Sequence, residues 1–315
     1  MNNYKNKIVI TTGDINGIGL EITVKALNSL NLDKDDVALI TNIDILKSNY
    51  QLNKDYEIID IPYNEKVDYG KISKSSGEFS FQSLKKACEL NPRAIVTAPV
   101  SKEALHLAGH KFNGQTEVLE YFLAHDNQKA EMLFVADKFK VLLITRHCAL
   151  KDVSNILTKD LIKEKVLRLK NHFKTKLNNN NPHFGLCALN PHSGEGGILG
   201  TEEIDVLIPA VQELKQEGAN ITLPLPADTL FIEGVQNYLK GTNPPYDCYI
   251  AMYHDQGLIP IKSIAGEKTV NMTIGLDIIR TSPSHGTAFD IAGKNMANPL
   301  SMIEAIKTAG QLSIN

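Results

Sequence analysis

Short apolar runs alternate along the chain with segments in which apolar residues recur at helical spacing. The apolar runs predict strands at 7–12, 37–41, 56–61, 94–97, 184–189 and 247–252. The helical spacing predicts helices at 20–30, 80–90, 158–174, 201–217 and from 300 onward. A further helix is predicted after the strand at 37–41, ending at about residue 50. Strands and helices that alternate in this way form βαβ units, so the pattern predicts an α/β fold with mostly parallel sheets.

Several segments depart from that alternation. Two apolar runs at 131–136 and 139–144 flank Asp137 and Lys138 and predict an antiparallel hairpin. Polar residues at 64–77 and an asparagine run at 178–181 predict loops. Thr116 is expected to cap a helix that runs to 123, and two prolines predict an extended segment at 223–229.

Composition narrows the class of protein. The 315 residues include 33 basic and 36 acidic side chains, with a formal net charge of −3 and no long run of either sign. This balance argues against a nucleic-acid or membrane-surface partner. The four cysteines are far apart and form no C-x-x-C pair, which predicts buried, reduced thiols. No signal pattern or spanning segment is visible, so we expect a soluble cytoplasmic protein.

Two glycine-rich turns follow predicted strands. The first, at 13–19, has the spacing G-x-x-x-G-x-G, which matches neither the dinucleotide fingerprint nor the P-loop. A tight turn that packs a helix on the sheet is favoured there, and a phosphate cradle remains an alternative. The second turn carries Gly194, Gly196 and Gly197 beside His192, and this density of glycine suggests a binding site.

Three of the nine histidines stand out because each follows a predicted strand: His147, His192 and His254. The carboxyl ends of parallel strands meet at one edge of a sheet. Three imidazoles there leave an open position on a divalent metal, which is the catalytic pattern. Asp228 and Asp255 are nearby carboxylates that could orient a histidine or move a proton. Three unrelated polar loop residues remain the alternative interpretation.

The other histidines lack a neighbouring glycine or carboxylate cluster, or lie in a separate small-residue loop. Surface or ordinary structural roles are expected for His106, His110, His125, His172 and His183. The remaining one, His285, belongs to a loop of small residues discussed next.

Longer motifs resemble the 4-hydroxythreonine-4-phosphate dehydrogenase family of pyridoxal phosphate (pyridoxine) biosynthesis, a PdxA family of oxidoreductases. They are LNPHSGEGG at 189–197, GTEE at 200–203, PADTLF at 226–231, MYHDQGL at 252–258, NMTIGL at 271–276, IRTS at 279–282 and HGTA at 285–288. The resemblance runs in order from Thr12 to the C-terminal helix and therefore covers nearly the whole chain.

The resemblance implies an isocitrate/isopropylmalate-dehydrogenase-like fold of two α/β domains, with mostly parallel sheets flanked by helices and the active site in the interdomain cleft. The first domain would comprise residues 1–112 plus 297–315, and the second residues 113–296. It also implies a homodimer with the metal site at the interface. One divalent metal per subunit, zinc, magnesium or cobalt, would be held by His147, His192 and His254.

The resemblance also assigns the remaining site residues. Those that would bind substrate are Gln115, Thr116, Lys262, Asn271 and Arg280, and a lysine with an arginine suits a phosphate monoester. The candidates for the catalytic base are Asp228, Asp255 and Lys262. The loop for the adenosine part of NAD or NADP would include His285, Gly286, Thr287, Ala288, Asp290, Gly293 and Asn298.

Two residues depart from the family pattern. The family usually has histidine where this chain has Gln115, and a glutamine donates a hydrogen bond but carries no charge. Asn295 stands in the cofactor loop where glycine is common, which affects the local turn or the preference between NAD and NADP.

The implied reaction is the NAD(P)-dependent and metal-dependent oxidation of 4-phosphooxy-L-threonine at C3. Its product, 2-amino-3-oxo-4-phosphooxybutanoate, decarboxylates to 3-amino-2-oxopropyl phosphate. An alternative is the same chemistry on 4-phospho-D-threonate or D-erythronate. Two alternatives from other classes are a phosphate acyltransferase-like enzyme, which needs neither NAD nor the metal histidines, and a non-catalytic metabolite-binding protein.

Overall fold

The structure is a computed structural model that describes residues 4–126 and 128–313. The strands are β1 (Ile8–Thr11), β2 (Val37–Thr41), β3 (Glu57–Asp60), β4 (Ala94–Thr97), β5 (Glu131–Ala136), β6 (Phe139–Leu143), β7 (His183–Leu186), β8 (Asn220–Ile221), β9 (Cys248–Ala251), β10 (Val270–Ile274) and β11 (Ile279–Pro283). The helices are α1 (Gly19–Ser29), α2 (Ile43–Asn49), α3 (Lys74–Glu89), α4 (Lys102–Leu107), α5 (Gln115–Leu123), α6 (Val153–Ile156), α7 (Lys159–Lys176), α8 (Ile208–Gln216), α9 (Ala227–Leu239), α10 (His254–Ala265) and α11 (Leu300–Leu312). The predicted α/β fold class is confirmed.

The chain forms two compact units. The first runs to Ala130 and resumes at Val270, and the second comprises Glu131–Thr269. This division differs from the predicted one, because residues 113–130 and 270–296 fall in the first unit. Strands β10 and β11 join the sheet of the first unit after the chain has completed the second, which sequence order alone does not indicate.

The first unit is built on strands in the order β3-β2-β1-β4-β11-β10. All neighbours in this order are parallel except β10, which is antiparallel to β11. Strands β1, β2 and β4 are buried along their whole length, as expected for parallel strands covered by helices on both faces. Their continuous apolar runs are the reason that the sequence located them correctly.

The second unit is built on strands in the order β5-β6-β9-β7-β8. The predicted hairpin is confirmed, since β5 and β6 are antiparallel and Asp137 takes the left-handed conformation with φ 51° between them. Strand β9 lies between β6 and β7 and is parallel to both. This arrangement places three consecutive strand ends at one edge, which determines the geometry of the candidate metal site.

Helix α3 begins at Lys74, so the predicted loop at 64–77 ends early and the helix predicted at 80–90 is longer than expected. The Ser73 hydroxyl accepts a hydrogen bond from the Ser76 amide and caps the helix. Gly77 lies inside this helix, and the position requires glycine because a Cβ there would come within 1.9 Å of the Ala104 carbonyl oxygen. The glycine that allows close packing against α4 was therefore assigned to the predicted loop and not to the helix.

Two further predictions about local structure are wrong. Gly114, not Thr116, is the N-cap of α5, and Thr116 lies buried inside the helix. The segment predicted as extended at 223–229 runs into α9 at Ala227, so Asp228 lies in the first turn of a helix. A proline directly before a helix is compatible with its start, and the proline-rich sequence concealed this boundary.

Helix α7 begins as predicted, with the Thr158 hydroxyl accepting a hydrogen bond from the Leu161 amide, and some of its basic side chains are buried. Lys165 is buried and its Nζ lies 2.6 Å from Glu131 Oε2, and Arg168 Nη1 lies 3.3 Å from Glu131 Oε1. Burial of these charges requires pairing. The ion pairs attach α7 to the start of β5 inside the second unit.

The cysteines are all free thiols, and Cys88, Cys187 and Cys248 are buried as predicted. Cys148 is exposed, contrary to the prediction, because it lies in the turn beyond β6. In the part of the chain that the structure describes, no helix is both long and apolar enough to cross a membrane.

Candidate functional site

The three selected histidines follow three neighbouring parallel strands of the second unit. His147 follows β6, His254 follows β9, and His192 follows β7, and β9 lies between the other two strands. Parallel strands present their carboxyl ends at the same edge of a sheet, where α/β proteins bind ligands. The strand order therefore places the carboxyl ends of these three strands side by side.

Side-chain hydrogen bonds connect these strand ends. The Thr145 hydroxyl donates to the Met252 carbonyl at 2.7 Å and fixes the end of β6 against that of β9. Gln256 accepts from the Met252 amide and donates to the Ala188 carbonyl, both at 2.7 Å, and so connects the ends of β9 and β7. The backbone that leads to all three histidines is held by this network.

His147 and His254 lie together at this edge, with ring centroids 5.6 Å apart. Nδ1 of His254 is 2.7 Å from Asp255 Oδ1, an orientation that leaves Nε2 as the nitrogen directed to a ligand. Both rings line a cavity of about 290 Å³ that is also lined by Arg146, Cys148, Leu150, Val153, Tyr253 and Asp255. The carboxylate–histidine pair matches the arrangement by which proteins orient metal-binding imidazoles.

His192 is presented by an unusual turn. Residues 192–197 all have positive φ, including the non-glycine residues His192 (51°), Ser193 (54°) and Glu195 (45°). A left-handed conformation costs a non-glycine residue about 1–2 kcal/mol and normally occurs singly. The turn therefore persists only because surrounding contacts hold it.

A third ligand is not brought to the His147–His254 pair by the described residues. Across residues 4–126 and 128–313, no group of three or more histidine, cysteine, aspartate or glutamate side chains could hold a metal ion. The three-histidine assignment thus stays a prediction. The two neighbouring imidazoles, one of them oriented by a carboxylate, fit a divalent cation that takes its remaining ligands from elsewhere.

The candidate bases are all exposed. Asp228 lies in the first turn of α9, Asp255 in the first turn of α10, and Lys262 farther along α10. Asp255 contacts the predicted metal ligand His254 through the hydrogen bond described above. Which of the three accepts a proton stays a prediction.

One predicted substrate residue of the first unit, Arg280, is a buried arginine. Arg280 is 1% exposed, and its guanidinium donates to the Thr97 and Thr273 hydroxyls at 2.7–3.1 Å. Burial lowers its pKa to about 10, with Glu117 acting in the opposite direction, so the side chain stays charged at neutral pH. A buried cation held mainly by neutral hydroxyls is suited to bind an anion.

Two predicted substrate residues retain unpaired polar atoms. Gln115 Oε1 and Asn271 Oδ1 are buried and accept no hydrogen bond within the described residues. An unsatisfied buried acceptor costs about 1–3 kcal/mol unless a ligand or water supplies a donor. Thr116 is buried in α5 beside Gln115. These atoms fit a polar ligand.

The predicted nucleotide loop is irregular, and hydrogen bonds from α1 and the residue before it hold its backbone. The Ile18 amide donates to the Thr287 carbonyl at 3.1 Å, and Glu21 Oε1 accepts from the Ala297 amide at 2.8 Å. Lys25 Nζ, paired with Glu21 at 2.7 Å, donates to the carbonyls of Asn295 and Ala297 at 3.0 Å. The loop thus has a fixed backbone.

Among the predicted nucleotide residues, five are exposed and two are partly buried. The exposed ones are His285, Gly286, Asp290, Gly293 and Asn298, and the partly buried ones are Thr287 and Ala288. Exposed polar groups on a fixed backbone fit a nucleotide, although the residues that contact it stay a prediction.

Asn295 shows how the departure from the family pattern is accommodated. Its φ is 56°, in the left-handed region where glycine is favoured and asparagine is the best tolerated alternative. The turn at this position therefore has the conformation that a glycine would adopt.

The turn at 13–19 is buried throughout, which supports the packing role favoured from its sequence. A Cβ on Gly13 would come within 2.2 Å of the Pro99 carbonyl oxygen, and one on Gly19 within 2.1 Å of the Thr12 carbonyl oxygen. Burial of the Asp14 carboxyl raises its pKa to about 6, against the effect of its bonds to Asn16 and Ser76. The glycines here allow backbone to contact backbone.

Sequence reasoning missed two groups near the histidines. Arg146 lines the cavity, and its Nη1 is buried without a hydrogen-bond acceptor among the described residues. Glu203 is buried and accepts hydrogen bonds from the start of the His192 turn. Arg146 directly precedes His147, and this proximity was the signal that could have found it, whereas Glu203 lies in the GTEE motif at 200–203 without such a signal.

Comparisons with known proteins extend over nearly the whole chain. The family "Pyridoxal phosphate biosynthetic protein PdxA" matches residues 7–309. A protein of Sulfurihydrogenibium sp. named 4-hydroxythreonine-4-phosphate dehydrogenase is 38% identical, with 96% of this chain and 97% of that protein covered. A Salmonella typhimurium protein named D-threonate 4-phosphate dehydrogenase is 36% identical, with 97% and 98% covered.

A solved structure is similarly close. The crystal structure of 4-hydroxythreonine-4-phosphate dehydrogenase from Klebsiella pneumoniae superposes with a TM-score of 0.85 at 32% sequence identity. The match covers 98% of this chain and 100% of that one.

Proposed function

Because the chain belongs to the PdxA family of pyridoxal phosphate biosynthetic proteins, we propose that it oxidises 4-phosphooxy-L-threonine at C3 with NAD or NADP. The observation that carries this proposal is the pair of imidazoles, His147 and His254, at neighbouring strand ends with Asp255 on the second of them. The alcohol becomes a ketone, and the resulting β-keto acid loses CO₂ to give 3-amino-2-oxopropyl phosphate.

His147, His254 and His192 would hold one divalent metal, zinc, magnesium or cobalt. When bound, such an ion lowers the pKa of a hydroxyl that coordinates it. Asp255 keeps the His254 ring oriented through Nδ1. Asp228, Asp255 and Lys262 are the proposed acceptors of the hydroxyl proton, and their exposure allows proton exchange with solvent.

The first unit would bind the rest of the substrate and the nucleotide. Arg280 supplies the fixed positive charge for the phosphate, while Gln115 and Asn271 offer their unpaired oxygens to donors on the substrate. Thr116 and Lys262 complete the proposed substrate contacts. The loop from His285 to Asn298 would bind the nucleotide, which would supply the acceptor for the hydride from C3.

We further propose a homodimer in which the partner completes the metal site. Apolar side chains beside the His192 turn are exposed, notably Ile198 at 81%, Ile204 at 49% and Leu199 at 44%. A cluster of exposed aliphatic residues beside a functional turn is typical of a protein–protein interface. The same contact would bring His192 of one chain to the His147–His254 pair of the other, and so supply the ligand that the described residues of one chain do not.

A second candidate substrate is 4-phospho-D-threonate. The neutral Gln115 is compatible with it, because a glutamine can bond a C2 hydroxyl as well as a C2 ammonium group. The relatives include proteins named for either substrate, at 36–38% identity.

NADH formation by the purified protein tests the proposal. With a divalent metal present, we expect turnover of 4-phosphooxy-L-threonine or of 4-phospho-D-threonate, and the ratio of kcat/KM values identifies the preferred one. A metal chelator should abolish the signal. Absence of NADH and NADPH formation with both substrates would contradict the proposal, and acyl transfer to phosphate would point to the acyltransferase-like alternative.

A further inference from the structure

We infer that Glu203 is a positioning residue that holds the left-handed turn at 192–197 and thereby places His192. This inference deepens the proposed function and rests on it for the role of His192 as a metal ligand. It concerns a carboxylate that touches neither the metal nor the substrate in the proposed reaction.

The carboxylate of Glu203 binds the chain just before the turn. Oε1 accepts from the backbone amides of Leu189 and Asn190, both at 2.8 Å, and Oε2 accepts from Asn190 Nδ2 at 2.9 Å. Hydrogen bonds to an ionised acceptor are roughly twice as strong as neutral ones. Three such bonds fix the point at which the chain leaves β7.

The environment of Glu203 indicates that its carboxylate is stabilised by these hydrogen bonds and not by a neighbouring cation. The residue is 2% exposed, and within the described residues no lysine, arginine or histidine forms an ion pair with it. A buried carboxylate without a cationic partner depends on its hydrogen-bond donors. All of the donors named above belong to Leu189 and Asn190, which lie just before Pro191 and the turn.

The turn also closes directly over this carboxylate. A Cβ on Gly194 would come within 2.8 Å of Glu203 Oε2, so only glycine allows this approach. The Leu199 amide donates to the Gly194 carbonyl at 3.1 Å, and the Ser193 hydroxyl donates to the Pro224 carbonyl at 3.2 Å. Glu203 therefore occupies the inside of the turn.

Position in the fold explains why His192 needs such an anchor when the other two histidines do not. His254 is the first residue of α10, and Thr145 fixes the strand end that leads to His147. His192 lies in a turn of consecutive left-handed residues, a conformation without intrinsic stability. Glu203 begins a π-helical turn at Glu203–Leu207, and such turns are frequent at functional sites.

The test compares Glu203→Gln with the matched control Asp205→Asn. Asp205 lies in the same π-helical turn but is exposed, so the control removes a charge from the same segment. In the metal-free proteins we expect the Leu189 and Asn190 amides to exchange at least about tenfold faster in Glu203→Gln and at the wild-type rate in Asp205→Asn. By calorimetric titration with Co²⁺, the Kd should rise about 10–100-fold in Glu203→Gln only.

A His192→Ala variant separates this inference from the proposed function. If His192→Ala binds Co²⁺ as tightly as wild type, the proposed ligand set is wrong, and the role inferred for Glu203 in metal binding is wrong with it. If His192→Ala loses binding but Glu203→Gln keeps wild-type exchange and Kd, the proposed function stands and the inference is overturned. Faster exchange with an unchanged Kd also overturns it, because the turn would then not govern the metal site.

Discussion

Arg280 shows how a single residue of the first unit can serve both folding and binding. Its guanidinium is buried against the Thr97 and Thr273 hydroxyls, and the cost of burying a charge is only partly offset by such neutral partners. A phosphate would complete the pairing. If Arg280 were purely structural, replacing it would change the free energy of unfolding and leave substrate binding unchanged.

Replacing Arg280 with lysine distinguishes these roles. Lysine keeps the charge but loses the planar fork, so we expect KM for the phosphorylated substrate to rise about tenfold or more with a smaller effect on kcat. Steady-state kinetics measure this, and Arg93→Lys in the same unit is the control. An unchanged KM with a lowered melting temperature would mean that Arg280 is structural.

His172 on α7 gives a residue-scale prediction about pH. It is 5% exposed, and its Nε2 accepts or donates no hydrogen bond within the described residues. Burial is the main cause that lowers its pKa to about 4, and the positive charges of Lys176 and Lys140 contribute to that shift. In the unfolded chain this histidine binds a proton near pH 6.5, whereas in the folded protein it does so only near pH 4. The contribution of His172 to the free energy of unfolding is therefore complete above pH 6.5 and is lost as the pH falls towards 4.

We therefore expect the free energy of unfolding to decrease by about 2–3 kcal/mol between pH 6.5 and pH 4 through this residue. Urea unfolding at a series of pH values measures it. In His172→Gln the dependence should flatten by that amount, whereas His183→Gln, on a partly exposed residue, should leave it intact. Equal slopes in wild type and His172→Gln would contradict the assignment.

At the scale of elements, the sequence located the buried strands well, because continuous apolar runs such as that of β2 are distinctive. It failed where packing overrides local preference. Gly77 concealed the first turns of α3, and the prolines before Ala227 concealed the start of α9. In these cases the information lies in contacts with distant residues, which a local pattern does not contain.

Gly77 and Gly310 form a matched pair that tests this explanation. Glycine to alanine inside a helix normally stabilises by about 0.5–1 kcal/mol. Gly310→Ala in α11 should do so, because its Cβ would meet only Ile8 Cδ1 at 3.7 Å. Gly77→Ala should destabilise by about 1–3 kcal/mol, because its Cβ would clash with the Ala104 backbone.

Denaturant unfolding of both variants measures the two changes in the free energy of unfolding. A stabilised Gly77→Ala variant would show that α3 and α4 can separate at little cost, and the packing explanation would then be wrong.

At the scale of the whole molecule, the two parts of the candidate site differ in how far the sequence could predict them. The strands that precede His147, His192 and His254 are neighbours in the sheet, which depends on the order β6-β9-β7 that sequence order does not state. The turn that presents His192 depends on Glu203 in a later segment. Residues that act through another residue carry no chemical signal of their own, so Glu203 was missed.

The proposed homodimer gives a prediction about assembly. Sedimentation should show a dimer, and Ile198→Glu should shift it towards monomer, because burial of a charge without a partner is costly. Leu239→Glu is the control, since Leu239 is also exposed but ends α9, which runs back from the histidine edge of the sheet. A dimer that is insensitive to Ile198→Glu would place the interface elsewhere.

The central claim is that the strand-end histidines form the metal site of a dehydrogenase. The most direct test is NADH formation by metal-stripped protein on titration with Co²⁺ or Zn²⁺, for wild type, His147→Ala and the control His183→Ala. We predict that activity returns with added metal in wild type and in His183→Ala, and that it stays at least about 100-fold lower in His147→Ala at saturating metal. Full activity in the stripped wild type without added metal, or in His147→Ala, would contradict the claim.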